Sequence, residues 1–334
     1  MLRLTKNKIR TIVLIFVAVL LFSPLIGNKA YASGEFLYLG GIPAGFTIKT
    51  NGSTVIGLND VVTEKGVESP ARANDVRVGD VILSVGGKPV CNVQSIAESI
   101  KNCCGNPVEV VISRKGQKIV KYITPAKDVG GNYRLGLFLR DDLNGIGTIT
   151  YFKNSGEFAA LGHPVLDESG EKSDVFGGDC YLCSIIGIVK GKRGKAGELK
   201  GIFIDTDKIG TVTKNTETGL YGKSAENFSF NKFTKVEVGV GVAGNASIIT
   251  CIDGVSPKEY SISIVKTDFN DKDNKNFVIK ITDRELLSAT NGILQGMSGS
   301  PIVQKGKIVG AVTHVFINDP SRGFGIDVAK MLEN

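Results

Sequence analysis

From Asn132 to the C-terminus the chain is written as short apolar runs separated by turn residues, and this pattern limits the fold more than any other feature. Gly147-Thr148-Ile149-Thr150-Tyr151, Ile185 to Val189, Lys235 to Val242, Ala246 to Ile252, Tyr260 to Val265 and Phe277 to Ile281 are strand-length and rich in Val, Ile and Thr. They are too short for typical helices. The 42 glycines of the 334 residues supply turn chemistry for many chain reversals. The expectation is a mainly β domain over 131–334, an all-β sandwich or double barrel.

A smaller domain precedes it over 34–124. Phe46-Thr47-Ile48 and Thr54-Val55-Ile56 flank Asn51-Gly52, a strong hairpin signal. Asn92 is placed to cap a helix whose Val93, Ile96, Ala97 and Ile100 share one face. Val108 to Ser113 and Ile119 to Ile123 pair across Lys115-Gly116. The stretches Glu68-Ser69-Pro70-Ala71 and Val78-Gly79-Asp80-Val81-Ile82-Leu83-Ser84-Val85-Gly86-Gly87 resemble PDZ domains of extracytoplasmic proteases. That resemblance implies a groove between a strand and the helix, where a peptide C-terminus adds as a further strand. Its carboxylate would meet the amides of a hydrophobic-Gly-hydrophobic loop, for which Ala44-Gly45-Phe46 is the candidate and Gly57-Leu58 the rival. Pro125 to Gly131, short and polar, reads as the linker.

Residues 1–32 have the three parts of an export signal or signal anchor. Arg3, Lys6, Lys8 and Arg10 open it, an apolar stretch runs from Thr11 to Ile26, and Ala30-Tyr31-Ala32 supplies small residues at its exit. The apolar stretch is short for a stable span and contains Pro24, which favours cleavage over permanent anchoring. The rest of the chain is expected outside the cytoplasm, with membrane association through this segment before processing. Removing its five basic residues corrects the charge: 40 Lys and Arg become 35, against 33 Asp and Glu, so +7 falls to +2. No nucleic-acid footprint survives that subtraction. Lys190, Lys192, Arg193, Lys195 and Lys200 read as a solvated hairpin loop.

The six cysteines are even in number, so disulfides are chemically open in an oxidising compartment. Cys180-Tyr-Leu-Cys183 has no second pair and no nearby histidine, which argues against zinc.

Gly296-Met297-Ser298-Gly299-Ser300-Pro301 is the chemical centre of the sequence. Small residues on both sides of a serine let the backbone turn sharply and leave the hydroxyl proud among neighbouring N–H groups. Only two histidines exist, His163 and His314. Gly162 and Pro164 place His163 on an extended loop, so it is the base candidate for Ser298. Spacing leaves Asp167, Asp205, Asp207 and Asp283 open as the third member. Thr282 and Glu285 around Asp283 also fit a helix capping box.

Behind the serine, Pro301-Ile302-Val303-Gln304, a Lys305-Gly306-Lys307 turn and Ile308-Val309-Gly310-Ala311-Val312-Thr313-His314 form a strand pair. Serine box and strand pair resemble the serine region of chymotrypsin-like proteases. That match implies an oxyanion hole from the Gly296 and Ser298 amides. It also implies a substrate-facing edge at Thr313, His314 and Val315, with His314 beside the substrate.

Export segment, PDZ-like domain, Gly162-His163, Ile281-Thr282-Asp283 and Gln295-Gly296-Met297-Ser298-Gly299-Ser300-Pro301 with Ala311-Val312-Thr313-His314-Val315 together resemble the stage IV sporulation protein B family of serine peptidases. The resemblance implies His163, Asp283 and Ser298 as the catalytic residues and an acyl-enzyme route that uses no metal or cofactor. It implies a peptidase domain that is chymotrypsin-like but rearranged, because Asp283 falls so close to Ser298. It implies export into the space between the forespore membranes and self-cleavage. The further substrate implied is a membrane-bound regulatory protein of an intramembrane protease complex, whose cutting activates a late sigma factor. Two other classes compete: an inactive PDZ-containing binding or adaptor protein, and a cysteine-based enzyme using Cys180.

Overall fold

Strand-forming runs of the C-terminal region, joined by strand Pro43–Leu58 from before the small domain, close into two barrels in a computed structural model, which describes residues 34–166, 170, 172 and 175–334. Residues Phe36–Asn334 form one unit. The expected export segment, residues 1–32, lies outside the described residues.

The first barrel is a ring of six antiparallel strands: Pro43–Leu58, Leu137–Phe152, Glu157–Ala160, Gly219–Ser224, Gly197–Thr216 and Val175–Val189. Its core holds Ala44, Phe46, Ile48, Ile149, Phe158, Cys180, Ile209 and Leu220. The second barrel closes Gly244–Thr250, Lys258–Thr267, Phe277–Ile281, Asp319–Asp327, Lys307–Phe316 and Pro301–Gln304. Alternation along these strands fills it: Tyr260, Ile262 and Ile264 point inward from one strand, Phe277, Ile279 and Ile281 from the next. The double-barrel alternative is therefore the one observed.

The smaller domain is inserted between the first two strands of the first barrel. Its strand Val81–Val85 pairs through Val81 and Ile82 with Thr54 and Ser53, and its hairpin Val108–Arg114 and Gln117–Ile123 completes the sheet. Helix Val93–Asn102 is capped by Asn92, whose side chain accepts from the Ser95 amide at 2.9 Å. Ile96 and Ile100 are buried against Val55, Ile82 and Val110, while Ala97 faces solvent.

Two sequence expectations are corrected here. Asn51-Gly52 does not close a hairpin: Pro43–Leu58 is one strand of 16 residues, and the residues Thr50 to Ser53 bulge opposite the single residue Asp141. Gly52 has φ +97°, and a Cβ there would lie 2.3 Å from the Ile82 carbonyl oxygen, so the close approach of the next strand needs glycine. The same strand moves the domain boundary. Phe36–Leu39 and residues 43 to 49 belong to the peptidase sheet, not to the small domain that was expected to start at 34.

Inside the small domain Arg114 donates from Nε to Asp80 Oδ1 at 2.7 Å and from Nη2 to Oδ2 at 2.8 Å, and Asp80 is 1% exposed. Its Oδ2 also accepts from the Arg77 amide at 2.8 Å. Arg114→Ala leaves a buried carboxylate without its cation and is expected to cost about 3 kcal/mol. Urea unfolding of the variant measures this directly.

Candidate active site

The serine loop is held in place from the other barrel. Thr148, on strand Leu137–Phe152, donates its amide to the Ser298 carbonyl at 2.9 Å and its hydroxyl to the Gly296 carbonyl at 2.9 Å. Thr150 adds a hydroxyl bond to the Gly299 carbonyl at 2.8 Å. Gly299 has φ +94°, and a Cβ on it would sit 2.1 Å from the Thr148 carbonyl oxygen and 2.5 Å from the Leu161 amide nitrogen. No other residue type permits that approach. Sequence reading placed Thr148 and Thr150 only in a strand; their hydroxyls carry no local signal of this role.

Around the nucleophile candidate, the amides of Met297, Gly299 and Ser300 donate to Leu294, Val312 and Met297 carbonyls at 3.1, 2.7 and 3.0 Å. The amides of Gly296 and Ser298 donate to no other described residue. Two unspent donors thus flank the serine, the supply an oxyanion hole requires. Ser298 Oγ itself donates to the Thr313 carbonyl at 2.7 Å.

His163 follows the strand Glu157–Ala160 through Leu161 and Gly162. Leu161 has φ +69°, a left-handed backbone that costs a leucine about 1–3 kcal/mol and is held here by burial at 6% exposure. His163 Nδ1 lies 2.9 Å from the Pro164 carbonyl oxygen. A carbonyl only accepts, so Nδ1 carries the proton and Nε2 keeps a free lone pair. Burial pushes the His163 pKa below its ordinary 6.5, and the Pro164 carbonyl opposes that shift only in part. Asn215 braces this loop, accepting from the Val165 amide at 2.9 Å and donating to its carbonyl at 2.8 Å. That brace was missed in sequence reading, since Asn215 stands far away in the chain.

His163, Ser298, Gly296, Thr313, His314 and Val315 line one cleft of about 600 Å³ between the barrels. The His163 and His314 rings are 4.9 Å apart. The pKa of His314 is lowered to about 4, first by burial and then by His163 and Lys275, although the residue as a whole remains exposed. Strand Lys307–Phe316 pairs on one side with Asp319–Asp327 through Val312, His314 and Val315. Its pairing with Pro301–Gln304 ends at Ala311, which leaves the Thr313–Val315 edge toward the cleft without a strand.

Asp283 is not brought to this cleft. It caps helix Arg284–Thr290, with Oδ1 accepting from the Leu286 amide at 3.0 Å and Oδ2 from the Ser261 amide at 3.4 Å. His314 and Val278 both register with Phe324, and Asp283 lies five residues beyond Val278, roughly 16 Å along the sheet at about 3.3 Å per residue. The expected capping box on Thr282 is replaced by Asp283 as the cap itself. Asp205 and Asp207 are exposed on strand Gly197–Thr216, and Asp167 lies outside the described residues. Among the described residues, the carboxylates that line an adjoining pocket with His163 are Glu217 and Asp273, bound to Lys172 at 2.8 Å and Lys275 at 3.3 Å.

Ala44, Gly45 and Phe46 are no carboxylate cradle. They lie inside the first barrel, paired with Gly147, Ile146 and Gly145 on one edge and with Leu182, Tyr181 and Cys180 on the other. Gly57 and Leu58 pair with Phe138 and Leu137. The run of that pattern beside the helix is Leu135-Gly136-Leu137, with Leu135 buried in one cluster with Ile96 and Ile100. Cys180 and Cys183 enter different cores, and burial raises both thiol pKa values, so Cys180 is no nucleophile.

A histidine that follows a strand of one β-barrel and a serine from the loop leading into the other line the cleft between them, the pair of residue types a serine peptidase needs. The chain belongs to the SpoIVB peptidase S55 family, whose model matches residues 131–332, and is accordingly a sporulation serine peptidase. Among solved structures it is similar to the PDZ domain of the SdrC-like protein from Listeria monocytogenes. That match has 20% identity and a TM-score of 0.23 and covers 28% of this chain and 93% of that one.

Four outcomes follow from this geometry. Because the folded His163 has its pKa below 6.5, the acid limb of a pH profile of kcat/KM should have its midpoint below pH 6.5. The same sign holds for stability: the unfolded chain binds the proton more tightly, so this contribution is present above pH 6.5 and is lost as pH falls. Thr148→Val keeps shape but removes the bond to the Gly296 carbonyl, and should lower kcat/KM about 10- to 100-fold with the fold intact by circular dichroism. Asp283→Ala removes the helix cap and should cost about 1 kcal/mol in thermal or urea unfolding.

Proposed function

We propose that this chain is an exported serine endopeptidase that cleaves itself and a membrane-bound regulatory protein, passing a signal between compartments during sporulation. The observation that carries the catalytic part is the meeting of Ser298 and His163 in one cleft, from separate barrels, with the Gly296 and Ser298 amides unspent. In this reading Ser298 Oγ turns from the Thr313 carbonyl to His163 Nε2. It then attacks the scissile carbonyl while His163 takes its proton. The two amides hold the oxyanion, and His163 returns the proton to the leaving amine. Water repeats the sequence on the acyl-enzyme. The substrate backbone lies along the Thr313–Val315 edge.

Targeting falls to the small domain. Its peptide groove is placed between helix Val93–Asn102 and the edge of Leu137–Arg140 turned away from Val55–Leu58, with Leu135-Gly136-Leu137 as the carboxylate loop. The apolar packing of Leu135, Leu137 and Leu139 with Ile96 and Ile100 supports this position.

Ser298→Ala should fold normally yet lose fluorophosphonate labelling and lower peptide hydrolysis at least about 10⁴-fold. Mass spectrometry and N-terminal sequencing read both labelling and self-cleavage. A Ser298→Ala chain that still processes its own N-terminus would overturn the assignment.

A further inference from the structure

We infer that the cleft selects a peptide segment carrying bulky uncharged side chains at the residues flanking the scissile bond, and rejects charge there. This rests on the peptidase reading of Ser298. The cleft offers about 600 Å³, and among the described residues no Asp, Glu, Lys or Arg lines it. One wall comes from the second barrel, with Ile293 and Leu294 just before the serine loop and Val315 on the open strand edge. The opposite wall comes from the first barrel, with Phe46, Ile146 and Leu161. Volume and lining match a site that gains affinity by covering apolar surface.

A charged side chain entering between these walls loses its water and finds no opposite charge among the described residues, whose polar side chains in the cleft are neutral: Asn144, Gln295, Ser298, Thr313 and the two histidines with lowered pKa. Glu217, Lys272, Asp273 and Lys275 line an adjoining pocket that shares His163, Pro164, Thr313 and His314 with this cleft, and none of the four lines the cleft itself. Discrimination therefore falls on the side chains next to the cut.

The purified chain is incubated with a random peptide library, and cut sites are mapped by mass spectrometry with Ser298→Ala as the blank. Leu, Ile, Val, Met and Phe should be enriched beside the cut bond and Asp, Glu, Lys and Arg depleted. In matched fluorogenic peptides, Leu→Asp or Leu→Lys at that position should lower kcat/KM by about 100-fold. Ile317, which lines the cleft and is 48% exposed, provides a variant that leaves the core untouched. Ile317→Asp should shift the Lys-to-Leu preference toward Lys by at least about tenfold. Equal cutting beside charged and apolar residues, with fluorophosphonate still labelling Ser298, overturns the specificity while the peptidase reading stands. Failure of both labelling and cutting removes the peptidase reading and this inference with it.

Discussion

Strand Pro43–Leu58 belongs to two sheets at once, that of the first barrel and that of the small domain. Its first half closes the first barrel, with Leu137–Phe152 on one edge and Val175–Val189 on the other. Beyond the bulge at Gly52 its second half becomes part of the small domain's sheet. The two parts are therefore joined by a hydrogen-bonded sheet and not by a linker alone. Phe46 and Ile48 from the first half line the cleft; Val55 from the second half lies in the core against helix Val93–Asn102. A slip of one residue would turn Ala44, Phe46 and Ile48 out of the barrel core, so the register of the small domain and that of the cleft wall are set together.

The serine turn exists in this form because a second barrel presses on it. Thr148 and Thr150 fix three carbonyl-bearing positions of the turn from outside, and Gly299 admits the strand that carries them. The histidine loop meets the same place, since Leu161 donates its amide to the Thr148 carbonyl at 3.3 Å. Thr148 thus touches both loops through its backbone. Strain at Leu161 is sustained by burial on one side and by the Asn215 brace on the other. Backbone that costs energy is tolerated where the surroundings over-determine it, and here they also aim the base.

What could be read in the chain was what local chemistry encodes. Strand runs, the capped helix and the glycine-boxed Ser298 each carry their cause within a few residues. His163 was legible because only two histidines exist and Gly162 and Pro164 mark a loop. Asn51-Gly52 was misread because a glycine with positive φ serves a bulge as well as a turn, and only the partner strand decides between them. Ala44-Gly45-Phe46 has the same pattern as Leu135-Gly136-Leu137, and the choice between them depends on which strand the helix covers. Thr148 and Asn215 were silent, since a threonine in a strand and an asparagine near a turn are ordinary by themselves. Their function is created by contacts across the barrel interface.

The base illustrates how far a neutral environment can replace a charged one. A carboxylate on His163 Nδ1 would fix the tautomer and also stabilise the imidazolium formed in the reaction. The Pro164 carbonyl does the first and does little of the second, because it supplies a dipole and no charge. Burial then lowers the proton affinity of the ring, and His314 at 4.9 Å would disfavour a second positive charge. Glu217 and Asp273, the acids of the adjoining pocket, are bound to lysines, while Asp283 is occupied by the helix it caps. Such a base is unprotonated at neutral pH and so ready to accept, but it pulls the serine proton weakly. With Ser298 resting on the Thr313 carbonyl, the arrangement holds both reacting groups in one cleft without yet joining them. Turning that hydroxyl and settling a substrate against the Thr313–Val315 edge are then the same event, because the carbonyl that restrains the serine belongs to the strand that would receive the peptide.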